Sequence, residues 1–168
     1  LITYADKPKP FPVARGMQSL QELAEPLLTL YPALEAALAG IPQHLPPQGK
    51  AGILSDRMLW SVSDFGYRPT LALDRIVVAS DGRSPELGPA MAIQNFYADH
   101  YLAGRLQVGG LLRLTDAKGQ ETRRLWLLDQ ILFDDELGGF KRSLLARGLK
   151  SEVEARLEEI RQREAAAP

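Results

Sequence analysis

The chain has 168 residues, 45% of them apolar and 24% charged, with 20 Lys and Arg against 21 Asp and Glu. That length fits one domain, residues 1–168, with enough apolar material for a core. A balanced charge with no basic stripe argues against a nucleic-acid partner. Cysteine is absent, which excludes disulfides, thiolate metal sites and a Cys nucleophile, and no apolar run reaches the ~18–20 residues of a membrane-spanning helix.

The first sixteen residues hold Pro8, Pro10 and Pro12 and read as an extended arm. From Met17 the spacing of Leu20, Leu23, Leu27 and Leu30 suits an amphipathic helix up to Tyr31. Pro26 lies inside that pattern and predicts a kink or break. Pro32 to Ala39 predicts a second short helix, with Pro in its first turn and Gly40 just past its end. Pro42, Pro46 and Pro47 then mark a loop, so residues 17–49 form a helical segment and a Pro-rich loop.

Strand texture fills 57–133. Arg57–Ser63 and Thr70–Ala79 read as strands, the second ending at Ser80-Asp81-Gly82. Met91–Leu102 and Arg105–Thr115 predict a hairpin about Ala103-Gly104, and Gly109-Gly110 predicts a bulge or bend. Asp116-Ala117-Lys118-Gly119 is a turn before a last strand, Arg123–Phe133. Short connections imply antiparallel pairing, since parallel strands need long crossovers.

Residues 137–165 read as a helix. Its apolar positions, from Leu137, Phe140 and Leu144 to Val153, Leu157 and Ile160, shift roughly halfway round the axis after Leu145 at ~100° per residue. A kink near Gly148–Ser151, where Ser151 and Glu154 make a capping-box pattern, or two halves with different partners, would explain the shift. The fold class is α+β: a curved antiparallel sheet against a long C-terminal helix, with short N-terminal helices.

Few residues suggest chemistry. His44 in the Pro-rich loop reads as a solvated side chain. His100 lies in Phe96-Tyr97-Ala98-Asp99-His100-Tyr101, where strand alternation sets it with Phe96 on a mostly apolar face. It is either a core His held by one hydrogen bond or a pocket His that orients a ligand or moves a proton. Asp99 points away from it, and no G-x-S-x-G elbow is present.

Asp134-Asp135-Glu136 reads first as a solvated helix start and secondarily as a hard-cation site. No metal ligand set is assigned. Gly138-Gly139 reads as the swing from strand to helix, and neither a Walker nor a dinucleotide pattern occurs. No cofactor is expected. Trp60 and Trp126 read as core, with an aromatic pocket lining as the alternative.

Two stretches carry a resemblance. Leu59-Trp60-Ser61 with Asp64-Phe65-Gly66 and Arg68-Pro69, then Tyr97-Ala98 with His100-Tyr101, resemble an uncharacterised bacterial family with a Trp-Ser…Phe-Gly…Pro segment and a Tyr-Ala-x-His-Tyr strand. Leu137 to Ser143 and Thr3-Tyr4, Asp6-Lys7 and Pro10 are similar to its strand-to-helix junction and N-terminal segment, whereas Leu128-Asp129-Gln130-Ile131 departs from its more basic, Ser-containing strand. The resemblance implies bacterial origin and an envelope or periplasmic setting, with the cytoplasm as the alternative, but no activity. The strand-glycine-helix ending also resembles the helix-grip architecture of START lipid-transfer and polyketide-cyclase proteins, a likeness of fold that does not carry function.

Three functions are compatible with this reading. The first is a non-enzymatic binding protein for an apolar ligand such as a lipid, lined by Phe96, His100, Trp126 and Phe140. The second is an accessory subunit of a larger envelope complex, docking to a protein partner through the N-terminal arm and the C-terminal helix. The third is an enzyme whose proton carriers are His100 with Tyr97 or Tyr101. Because the chain begins at Leu1, a leading segment (signal peptide, anchor or more of the domain) is expected before it.

Overall fold

The structure, a computed structural model, describes residues 13–39, 51–64, 69–80, 82–98, 102–133 and 139–166. Its elements run α1 (Val13–Leu28), α2 (Pro32–Leu38), β1 (Ile53–Asp64), β2 (Pro69–Ala79), β3 (Leu87–Ala98), β4 (Leu102–Thr115), β5 (Glu121–Phe133) and α3 (Gly139–Ala166). The strands form one antiparallel sheet in sequential order, β1-β2-β3-β4-β5. The class is therefore α+β, with short N-terminal helices and one C-terminal helix.

The helices α1 and α2 bury their apolar stripe against one face of the sheet, α1 over β4 and β5 and α2 over β2 and β3. The buried positions of α1 are Met17, Leu20, Ala24 and Leu28, whereas Leu23 is exposed. Helical geometry gives the reason: at ~100° per residue, Leu23 lies roughly 120° round from Met17, but Ala24 and Leu28 only about 20°. The helix also starts earlier than the extended arm allowed, since Val13–Gly16 belong to it. It runs through Pro26 without a break. Pro26 sits on the exposed side in the last turn, so the lost hydrogen bond is Glu22's carbonyl, which water can satisfy.

Cross-strand rows explain how the helices fit. On the helix-covered face Val77, Ala92, Val108 and Leu128 stand in one row, and Ala79, Ala90, Gly110 and Trp126 in the next. The second row is small by design of its sequence: a Cβ on Gly110 would come within 2.9 Å of the Trp126 indole, which lies over it. Trp126 in turn meets Tyr31 at 6.4 Å between ring centroids. Tyr31, fully buried at the joint of α1 and α2, donates its hydroxyl to the Gly88 carbonyl at 3.1 Å. Gly109-Gly110 therefore makes room for side chains; of the bulge or bend expected there, no bulge forms at the pair itself, which keeps its register, although a shift on β3 falls opposite the adjacent Leu111. Register shifts occur instead at Ile53/Ser55, Leu73/Asp74, Leu87/Ala90 and Leu102/Gly104.

Two turns expected from sequence compare differently with the structure. The β4–β5 turn is at Asp116–Gly119: the Asp116 carboxylate accepts from the Lys118 and Gln120 amides at 2.8 and 2.9 Å, and Gly119 has φ 79°, a conformation that favours glycine. Ala103-Gly104, by contrast, lies inside β4. The β3–β4 connection falls at 99–101, outside the described residues. Gly104 reads as a turn residue but here lies in the strand facing Leu20 and Met17 of α1.

One ion pair ties α2 to the sheet. Arg75, only 3% exposed, donates Nε and Nη2 to the Asp56 carboxylate at 2.8 and 2.6 Å and Nη1 to the Ala37 carbonyl at 2.7 Å. Ala37 lies in the last turn of α2, where carbonyls lack helical partners and a cation is favoured by the helix dipole.

Candidate functional site: a cleft between the outer sheet face and the C-terminal helix

Strand alternation leaves a second apolar face, opposite α1 and α2. Its rows are Val78, Met91, Gly109 and Leu127, then Ile76, Ile93, Gln107 and Asp129, with Leu111 beside Leu125. Across from this face stand Val153, Leu157 and Ile160 of α3. Among the described residues the helix makes no extensive contact with any strand. Between them is a cleft of about 340 Å³, within the usual size of small-molecule sites. Met91, Leu125 and Leu127 stay about two-fifths exposed on its floor, as does Ile160 on its roof.

Gly109 accounts for part of the depth. It stands between Met91 and Leu127 in its row, so the centre of the floor has no side chain, and Leu127 leans over it. The shift of apolar positions along α3 has its counterpart here. The helix is continuous through Gly148 and Ser151, with no break at that point. Val153, Leu157 and Ile160 face the cleft, while Leu144 in the other half is exposed. The two halves thus meet different surroundings.

The polar part of the cleft wall is Arg105 and Gln107. Arg105 donates Nε and Nη2 to the two carboxylate oxygens of Asp129 at 3.0 and 2.6 Å, a parallel bidentate pair. Gln107 donates its amide to the same carboxylate at 2.8 Å. Asp129, on β5, stands beside Gln107 but does not itself line the cleft.

The residues singled out from sequence disperse. Trp126 borders the cleft, although its indole is turned toward Tyr31. Phe96 is buried in the core with the N-terminal helices and takes no part in the cleft wall. It is the residue skipped by the register between Leu73 and Asp74, which interrupts the simple alternation used to place it. Phe140 lies in the first turn of α3, and its side chain is outside the described residues. His100 and Tyr101 also fall outside them, as do Asp99, His44 and Asp134-Asp135-Glu136.

Tyr97 packs edge-on against Trp60 at 6.2 Å between centroids. Trp60 is not core: it is 63% exposed on β1, an edge strand that makes no extensive contact with α1 or α2. Among the described residues no group of three or more His, Cys, Asp or Glu could hold a metal ion. Among the same residues no helix is long and apolar enough to cross a membrane.

Sequence reasoning missed Arg105, Gln107 and Asp129 as a unit. The available signal was alternation: the three fall on one face once the β4–β5 register is known. No protein-family model matches this chain, no curated protein is detectably similar to it, and no solved structure matches its fold.

Proposed function

We propose that this protein is a non-enzymatic binding protein for a small apolar or amphipathic molecule, such as a lipid, held between the outer sheet face and α3. The observation that carries the reading is the unfilled apolar cleft itself. Three large floor side chains remain two-fifths exposed beneath a helix that faces them. Covering the rest of Met91, Leu125 and Leu127 gains about 2–4 kcal/mol, taking ~1.5–3 kcal/mol for each side chain fully buried. The four register shifts support a strongly twisted, curved sheet around such a ligand, because bulges increase local twist.

Nile red titration tests the proposal, together with native mass spectrometry of protein released gently from its host. A saturable fluorescence rise, and a retained small mass recovered by organic extraction, are expected. Val153→Trp, which fills the cleft from the sparsely packed helix, should abolish both and leave the unfolding midpoint unchanged. A protein that carries no small mass and binds no probe would overturn the proposal.

A second reading, a docking subunit, is favoured by the exposed Leu54, Trp60 and Val62 on edge strand β1. Such edges pair readily with other chains. Sedimentation of the isolated protein with and without Trp60→Lys separates the readings. Association lost in the variant supports docking, and a monomer in both cases removes it.

A further inference from the structure

We infer that the cleft selects ligands whose polar end is uncharged, an alcohol, ester or amide, and discriminates against both carboxylates and amines. The inference rests on the binding reading above and concerns which end-group the site accepts. Its basis is the closed ion pair in the wall.

Among the described residues, Arg105 is the one cationic side chain lining the cleft. Taken alone it would recruit an anion. Two of its five N–H groups are already committed to both oxygens of Asp129, and the pair is largely withdrawn from water, 22% and 11% exposed. The pair presents a dipole with no net charge. A carboxylate reaching Arg105 would come close to the Asp129 carboxylate in a poorly screened apolar setting, and an ammonium would be repelled by the guanidinium.

A neutral group meets neither cost. The remaining guanidinium N–H groups offer donors. Gln107, whose amide nitrogen is used by Asp129, leaves its carbonyl oxygen as an acceptor. A hydroxyl can donate to Gln107 and accept from Arg105; an ester carbonyl can accept from Arg105. The cleft volume of about 340 Å³ is of the size of small-molecule sites, so a medium-length alkyl chain with one polar end is the natural probe.

The test is displacement of Nile red at pH 8 by 1-decanol, decanoate and decylammonium. Decanol is expected to bind at least tenfold tighter than either charged analogue. Asp129→Asn uncovers the guanidinium charge and should invert the order in favour of decanoate; circular dichroism confirms that the variant is folded. Decanoate equal to or tighter than decanol on the wild-type protein overturns this inference while leaving the binding reading intact. Failure of all three to displace bound Nile red likewise overturns this inference alone, whereas a protein that neither binds the dye nor retains a small mass overturns both. The wild-type series is decisive even where Asp129→Asn does not fold.

Discussion

Asp56→Ala is the most informative perturbation of the fold. The substitution removes the carboxylate that accepts two of the three hydrogen bonds of an almost fully buried guanidinium, leaving only the neutral Ala37 carbonyl against its charge. Breaking a buried pair from one side costs about 3–5 kcal/mol, a large part of the ~5–15 kcal/mol total of an ordinary domain. Replacing both partners, Asp56→Leu with Arg75→Met, removes the stranded charge. It should be neutral or stabilising by ~1–4 kcal/mol for the pair itself, offset by about 1–3 kcal/mol because the Ala37 carbonyl loses its donor. The double variant is thus expected close to wild type, far above the single one. Urea unfolding at 25 °C with the slope held in common measures both. An Asp56→Ala loss below ~1 kcal/mol, or a double variant as unstable as the single, would refute the account of Arg75 as a buried cation that needs its carboxylate.

Three further expectations concern single contacts. Gly110→Ala places a methyl 2.9 Å from the Trp126 indole and should cost about 1–3 kcal/mol by overpacking, with a changed Trp emission spectrum as the local readout. Tyr31→Phe leaves the Gly88 carbonyl without the hydroxyl that it accepts and should cost about 1–3 kcal/mol in urea unfolding. The Ser84 hydroxyl, followed by the Glu86 backbone, holds the Glu86 carboxyl below the ordinary carboxylate range. Since the folded state favours the ionised form, its contribution is present above the unfolded-state pKa and lost as pH falls through the lowered one. Ser84→Ala should raise the Glu86 midpoint in an NMR titration and flatten that acid-side dependence.

The sequence made the sheet legible because its strands are short runs rich in aliphatic residues separated by turn signals, and Asp116–Gly119 announces its own geometry. The stripe of α1 was legible in existence but not in membership: Leu23 looks like core by composition and is excluded only by its angle. Trp60 misleads for a different reason. An aromatic residue on a strand is core only where something covers that strand, and coverage of β1 is a tertiary fact. Arg75 shows the converse, a charged residue in a strand that reads as exposed until Asp56 and the end of α2 are brought to it.

The candidate site was less legible because it depends on a mismatch between two elements. Each face of the sheet is apolar, and sequence alone gives no reason for one to be sealed and the other left open. The difference lies in what is offered to each. Helices α1 and α2 present Met17, Leu20, Ala24, Leu28, Leu34 and Leu38 to the inner face, whose small residues Ala79, Ala90, Ala92 and Gly110 admit them. Helix α3 presents Val153, Leu157 and Ile160 to a floor of larger side chains with Gly109 in its centre. The helix makes no extensive contact with that floor, and the space over Gly109 is only partly taken by Leu127. A wall with a neutralised Arg at that point is what a dry, uncharged ligand would meet, and it is this combination of unfilled volume and cancelled charge that separates the outer face from an ordinary core.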